Sequence, residues 1–312
     1  MKNNQLMIYG AYGYAGELMV REAVAQGLRP IIAGRDDEKL KPIATELSLE
    51  CRAFGVRNTG SNLQDISVLL NCAGPFSATA EPLARACLAQ QIHYLDITGE
   101  IDIFRKCHAL DEEARQQNVL ILPGAGTDIV PTDCLAAMLK EKLPVATRID
   151  LALSFGTNPS IGTVNTMIES FGKGGLIREG GMLKVVSNAF QMRKIPFQNK
   201  PQWAMTIPWG DVFTSGISTG VPDGAVYMAM PRMSIYMIRL TNPVKGILNT
   251  QFGQKITKRL AGWLMKKGPD AKALEAGRGQ FWGEAEAPDG EKLEMTMSTP
   301  NVYALTATVG IR

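Results

Sequence analysis

A chain of 312 residues is longer than one hydrophobic core usually fills, so two domains are expected. Its 33 basic and 30 acidic residues leave a net charge of only +3, which argues against a nucleic-acid-binding protein and suits a small anionic ligand better. Five cysteines, an odd number without a C-x-x-C pair, exclude a disulfide framework and a zinc ribbon, and no apolar run approaches the ~20 residues that span a bilayer. The amino terminus runs straight into an apolar strand with no signal-like segment, so the expected location is cytoplasmic.

From Leu6 to Leu122, short apolar runs alternate with longer stretches of helical spacing, the pattern of βαβ units around a parallel sheet. Strands are expected at Leu6–Tyr9, Pro30–Ala33, Ser67–Asn71, Tyr94–Asp96 and Val119–Leu122. Helices are expected at Gly16–Gln26, Asp37–Leu47, Ala80–Gln90 and Ile103–Gln117, with Glu81-Pro82 reading as a helix start. After Pro123 the texture changes. A turn-rich stretch leads to a helix at about Cys134–Lys142, and then to runs that read as antiparallel strands: Ile149–Phe155, Ala225–Met230, Gln280–Ala287 and Lys292–Ser298, the last two joined by Pro288-Asp289-Gly290. The glycine-rich segment Phe171–Gly181 reads as loop or helix ends, Pro208–Gly220 as a pocket wall or hydrogen-bonded turn, and Gln191–Gln202 as a mobile segment.

The expected fold class is therefore α/β, a Rossmann-type doubly wound parallel sheet followed by an α+β second domain. The loop Gly10-Ala11-Tyr12-Gly13-Tyr14-Ala15-Gly16 follows the first strand and opens the first helix. Gly10 would make the tight turn, Gly13 would admit a pyrophosphate to the backbone, and Gly16 would let helix and strand close up. The backbone of Tyr12, Tyr14 and Ala15 completes the cradle, with phosphates on the positive helix end. At the end of the second strand, where a site for a free ribose 2′-hydroxyl would carry a carboxylate, the chain has Gly34-Arg35. A guanidinium can grip a 2′-phosphate, so the expected cofactor is NADP(H). Asp36 and Asp37 read as the cap and first turn of the next helix. Asn71, Cys72, Ala73 and Gly74 end the third strand where ribose or nicotinamide would lie, with Cys72 read as a packing residue.

These segments, together with H-Y-L-D-I-T-G-E and P-G-A-G-T-D-I-V-P-T-D, resemble the saccharopine dehydrogenase-like NADP-binding oxidoreductase family. Gly162–Gly181, Pro208–Val212 and Tyr303–Ala307 are similar to its branch with trans-acting enoyl reductases. The resemblance implies a split Rossmann domain, residues 1–132 closed by a C-terminal helix within 299–312. It also implies an inserted α+β domain, 133–298, that shapes a substrate pocket and often makes a homodimer.

For the chemistry, Asp96, Thr98, Gly99 and Glu100 leave a strand at its carboxyl end and can face the nicotinamide, although Thr98 and Glu100 would equally well support a helix. Asp128 is the better pocket candidate beside Asp133, which reads as an N-cap. Asp211, with Thr214, Ser218 and Thr219, could line the far wall. His93 and His108 are poorly placed for acid catalysis, and no metal-ligand spacing is present. Val226–Leu240 reads as core or interface, and Lys255–Lys267 as an amphipathic helix. The expected activity is hydride transfer to a C=C, C=N or C=O bond of a small or apolar substrate. The alternative is a non-catalytic NADP-binding sensor or scaffold.

Overall fold

Two units compose the computed structural model, Met1–Asp128 with Tyr303–Arg312, and Ile129–Val302. The structure describes residues 5–155, 174–244, 250 and 277–312.

In the first unit, short apolar strands stack in parallel: β1 (Leu6–Tyr9), β2 (Ile31–Gly34), β3 (Cys51–Ala53), β4 (Val68–Asn71), β5 (His93–Asp96) and β6 (Ile121–Leu122). Their order, β3-β2-β1-β4-β5-β6, reverses direction between β1 and β4, which opens a crevice at the strands' carboxyl ends. Helices cover both faces. Met7, Tyr9, Leu69 and Tyr94 point toward α3 (Phe76–Ala89) and α4 (Ile101–His108), packing with Leu83, Cys87, Ile103 and Cys107. Ile8, Ile32 and Leu70 point the other way, toward α1 (Tyr14–Ala25) and α2 (Asp37–Leu47), packing with Met19, Val20, Leu40 and Ile43. The central strands β1, β2 and β4 are buried on both sides, which is why they read as continuous apolar runs rather than alternating ones.

Three local expectations are corrected. α3 begins at Phe76, so Pro82 sits inside the helix and not in its first turn. The expected helix at Ile103–Gln117 divides into α4 and α5 (Asp111–Gln116). Basic Arg105, Lys106 and His108 close the first, and acidic Asp111, Glu112 and Glu113 open the second, each matching the sign of its helix end. Strand β3 carries no apolar alternation and is held by its pairing with β2.

The sheet is completed from far along the chain. In α9 (Val302–Ile311), Ala307 is buried beside Met19 and Val20. Thr306 Oγ1 accepts the Thr127 N–H at 3.1 Å, and the Tyr303 ring meets Tyr14 edge-on at 5.0 Å. A Cβ at Gly310 would lie 2.6 Å from the end of Met19, so glycine lets the helix settle.

The second unit is a mixed sheet of order β10-β11-β12-β7-β13-β14, with β8 added on β12 and β9 on β8. The strands are β7 (Arg148–Ser154), β8 (Gly175–Glu179), β9 (Met182–Val186), β10 (Met192–Pro196), β11 (Pro201–Ile207), β12 (Asp223–Ala229), β13 (Gly279–Glu286) and β14 (Lys292–Thr299). β7 and β12, expected to be antiparallel, pair in parallel, because the long connection between them allows a crossover. From Gly175 the glycine-rich stretch enters a hairpin, β8 turning into β9 through Gly180 and Gly181 at φ 59° and 78°, a two-residue turn that needs positive φ at both positions. The segment expected to be mobile is also a hairpin, β10–β11, with Pro196 and Pro201 at its tip.

The helix expected from Cys134 starts earlier, as α6 (Val130–Lys142), so Asp133 is a first-turn acid and not the cap. A side chain at Gly283 would fall 2.6 Å from Leu139, and its absence lets α6 lie against β13. Ala152, Tyr227 and Trp282 form a core with Ile177, Ile195 and Phe197. There the Arg193 guanidinium stacks 4.7 Å from the Trp282 ring while holding Glu284 through two hydrogen bonds of 3.2 and 3.1 Å. The stretch read as a turn is a helix, α7 (Asp211–Thr219), closed by Gly220 at φ 68°. Val226–Leu240 divides between β12 and α8 (Arg232–Leu240). Gly162–Lys173 and Lys255–Lys267 lie outside the described residues. Among the described residues no helix is long and apolar enough to cross a membrane.

Candidate cofactor site

The glycine loop is built by close backbone approach. Gly10 turns at φ 85°, and its N–H bonds the Ala33 carbonyl at 2.7 Å, fastening the end of β1 to β2. A Cβ on Gly10 would lie 2.7 Å from the Ala73 nitrogen, one on Gly13 3.2 Å from the Gly10 carbonyl oxygen, and one on Gly16 2.2 Å from that same oxygen. Two of these distances forbid a side chain, so the loop must be glycine at those positions. Gly13 is the N-cap of α1 and has no side chain to cap it, which leaves the positive helix end open to an anion.

At the adjoining strand end, Gly34 lies under the Tyr12 ring, where a Cβ would come within 2.6 Å of the ring edge. Lys39 sits 5.7 Å over the other part of this arrangement, the Tyr12 ring centre. Exposed Arg35 follows, and it makes no salt bridge among the described residues. The neighbouring carboxylates are taken: Asp36 pairs with Lys39 at 3.2 Å and Asp37 with Lys41 at 2.9 Å. The Lys39 ammonium beside it holds the Asp36 carboxyl below its ordinary range. The guanidinium is thus left as the available charge at the rim.

The remaining strand ends differ from expectation. Asn71 is fully buried and does not present its side chain to a ligand. Its Nδ2 donates to Thr79 Oγ1 at 3.2 Å and to Tyr94 OH at 3.1 Å, and its Oδ1 accepts the Ala73 N–H at 3.0 Å. Cys72 is buried with its Sγ 3.1 Å from Met19 Sδ, and burial pushes its thiol well up, in keeping with a packing role. The Cys72 N–H is bonded to the Tyr9 carbonyl and the Ala73 N–H to Asn71, so the exposed backbone at this strand end is that of Gly74.

Asp96, expected to face the nicotinamide, is also fully buried. Its Oδ2 accepts from Tyr94 OH at 2.8 Å, and its Oδ1 accepts the N–H groups of Thr98 and Gly124, both at 3.0 Å. Burial pushes its pKa up to about 6 against the pull of those three donors. Sequence reasoning missed this network. The only signal for it was the alternation of Tyr94 and Asp96 on one face of β5. Buried Thr98 accepts the Glu100 N–H at 3.1 Å, and Glu100 accepts the Phe76 N–H at 3.3 Å, so its carboxylate serves the start of α3. Gly99 is buried between them.

In the second unit, Asp211 is fully buried at the start of α7, and its Oδ2 accepts from Thr132 Oγ1 at 2.9 Å. It ties α7 to α6, as does Ser218, which donates to Asp133 at 2.7 Å. Asp211 is thus closed off from any ligand, whereas Ser218 is exposed. Asp128, in the segment leaving β6, has its carboxyl pushed up to about 7 by burial. His93 starts β5 and accepts the Leu120 N–H at 3.0 Å, at the strand end away from the crevice. Among the described residues no cluster of His, Cys, Asp and Glu could hold a metal.

Comparison with known proteins bears on this arrangement. Residues 6–122 match the family described as the saccharopine dehydrogenase NADP binding domain. A saccharopine dehydrogenase-like oxidoreductase of Rattus norvegicus is 25% identical over 231 residues, covering 65% of this chain and 53% of the relative. A Mycobacterium tuberculosis protein named for a trans-acting enoyl reductase is 28% identical over 205 residues, covering 59% of this chain and 44% of its own. This chain thus spans about half the length of the curated relatives it matches. The apo saccharopine dehydrogenase (L-Glu forming) of Saccharomyces cerevisiae shares the fold, with a TM-score of 0.64 at 8% identity, covering 99% of this chain and 90% of that one. The sheet order and the glycine loop are those of a dinucleotide-binding domain, and the match of residues 6–122 to the saccharopine dehydrogenase NADP binding domain supports a nicotinamide dinucleotide as the cofactor of the first unit.

Proposed function

We propose that this chain is an NADP(H)-dependent oxidoreductase that passes a hydride between the nicotinamide and a C=C, C=N or C=O bond of a small or apolar substrate. The observation that carries the reading is the juxtaposition, in one crevice, of a glycine cradle closed to side chains at Gly10 and Gly16 and a rim guanidinium whose acidic neighbours are already paired. The backbone from Gly10 to Gly16 would hold the pyrophosphate, Arg35 the 2′-phosphate, and the backbone at Cys72–Gly74 and Thr98–Gly99 the nicotinamide end. When bound, the nicotinamide supplies or takes up the hydride; the protein's part is placement and proton handling. Glu100 supports α3 and Asp211 ties α7 to α6, while burial pushes the Asp128 carboxyl up to about 7, in the range suited to give or take a proton near neutral pH.

Three arginines of the second unit, Arg148, Arg178 and Arg193, are engaged by the protein, which supports an apolar substrate over one with several carboxylates. Arg148 pairs with Asp150 at 2.9 Å, Arg193 with Glu284 at 3.1 Å, and buried Arg178 donates to the Val221 carbonyl at 3.0 Å. Each is engaged with the protein itself. The relative named for a trans-acting enoyl reductase supports an enoyl group as the first substrate class to try. The test is loss of reduced-nicotinamide absorbance against a panel of enones, imines and keto acids. Turnover of an enone is the expected result. Tight NADPH binding with no oxidation across the panel would favour a cofactor-sensing module instead.

A further inference from the structure

Three loops border the crevice at the carboxyl edge of the first sheet, after β4, after β5 and after β6, and all three are fastened to one buried carboxylate. Asp96 accepts the Thr98 N–H of its own loop and the Gly124 N–H of the loop after β6, both at 3.0 Å, while its main-chain carbonyl accepts the Ala125 N–H at 2.7 Å. Through Tyr94 OH at 2.8 Å it reaches Asn71, whose Oδ1 holds the Ala73 N–H at 3.0 Å. Ala73 in turn is the residue against which Gly10 closes. We propose that Asp96 is the positioning residue of the cofactor site, fixing through this chain of hydrogen bonds the backbone that meets the nicotinamide end of the dinucleotide. The proposal rests on reading the first unit as an NADP(H) site.

A polar network so placed is costly if the core alone is at stake, because an apolar side chain at a fully buried position avoids the desolvation penalty. What the network secures is the relative setting of three loops that share no ladder of their own. It also depends on ionisation. The groups facing the Asp96 carboxylate are Tyr94 on its own strand, Cys72 at the end of β4 and Cys107 on α4, and burial pushes all three up, so they are neutral near pH 7. No cation is among the groups that shift it. A proton on Asp96 would face the Tyr94 hydroxyl, which already donates to Oδ2 while accepting from Asn71. Below about pH 6 the fastening therefore loosens.

Asp96→Asn keeps the shape and imitates the protonated state, and Tyr94→Phe removes the link to Asn71. Amide hydrogen exchange without cofactor is expected to show Ala73, Thr98 and Gly124 losing about tenfold protection in Asp96→Asn, while the β1 amides keep theirs. NADPH affinity by calorimetry is expected to be about tenfold weaker for Asp96→Asn than for the parent at about pH 8, the ratio closing toward one at about pH 5. Taking the ratio removes the titration of the coenzyme's own 2′-phosphate, which falls near pH ~6. A ratio that is constant with pH, or loop amides that exchange at the parent rate, would overturn the proposal. If Asp96→Asn does not fold, Tyr94→Phe decides by the Ala73 amide: faster exchange supports the proposal, parent-like exchange overturns it. A parent protein that binds no NADPH would overturn the cofactor reading and this proposal with it, whereas parent-like exchange in a protein that binds NADPH overturns the proposal alone.

Discussion

A methyl group placed on Gly16 would lie 2.2 Å from the carbonyl oxygen of Gly10, inside the distance any real Cβ tolerates. The obstacle is backbone and cannot swing away. Gly16→Ala is therefore expected to push α1 from β1, lowering stability by about 2–3 kcal/mol and abolishing measurable NADPH binding. Urea denaturation and calorimetry check the two parts separately. A variant with parent stability and parent affinity would show that the loop is far more compliant than its contacts imply.

Arg35 offers a sharper test because it is exposed and removing it leaves the fold alone. Arg35→Ala is expected to weaken NADPH binding by about 1.5–3 kcal/mol, roughly ten- to a hundredfold, and to leave NADH binding unchanged. Equal losses for both coenzymes would assign the guanidinium to some part of the dinucleotide other than the 2′-phosphate.

Burial raises the Asp128 carboxyl to about 7 and that of Asp96 to about 6. Between the ordinary aspartate value near ~4 and those values, the folded protein holds protons that the unfolded chain has released. By linkage, the stability they contribute is fully present below about pH 4 and is lost as pH rises through 6 and 7. Asp128→Asn, which cannot ionise, is expected to gain on the order of 1–2 kcal/mol over the parent at about pH 8 and nothing at about pH 4. In turnover assays the same variant should lose the rate dependence centred near pH 7. An unaltered pH–rate profile would remove Asp128 from the proton path.

Arg178 is buried under Gly216 and Gly224, where side chains would collide with its guanidinium. It donates to the carbonyls of Val212 and Val221 and to the Ser215 hydroxyl, binding α7 and the approach to β12 to strand β8. Arg178→Ala strands those acceptors beside a new cavity, and a loss of about 3 kcal/mol or more is expected in urea denaturation. A loss under about 1 kcal/mol would mean that water enters and replaces the guanidinium.

The glycine loop and its flanking strand and helix were legible because their determinants are local: a turn, a close approach and a helix start lie within Gly10–Gly16. The placement of Arg35, exposed just after β2, was legible for the same reason. The roles of Asn71, Asp96 and Glu100 were not, because their partners come from other elements: Asn71 meets Thr79 on α3 and Tyr94 on β5, Asp96 meets Gly124, and Glu100 meets Phe76. A polar residue at a strand end reads the same whether it faces a ligand or a neighbouring loop. In the second unit, Gln191–Gln202 read as a mobile segment although it forms a hairpin with Pro196 and Pro201 flanking its tip, and Pro208–Gly220 read as a pocket wall or a turn although Ser215, Ser218 and Thr219 bond carbonyls within a helix.

Thr127 and Thr306 are 179 positions apart in sequence, yet their hydrogen bond helps seat α9 over Met19. During synthesis the nucleotide-binding sheet therefore emerges with part of its flank bare, and it waits for the entire second unit to be translated before that flank is covered. Closure of such a distant contact carries a heavy entropic toll on the rate of folding.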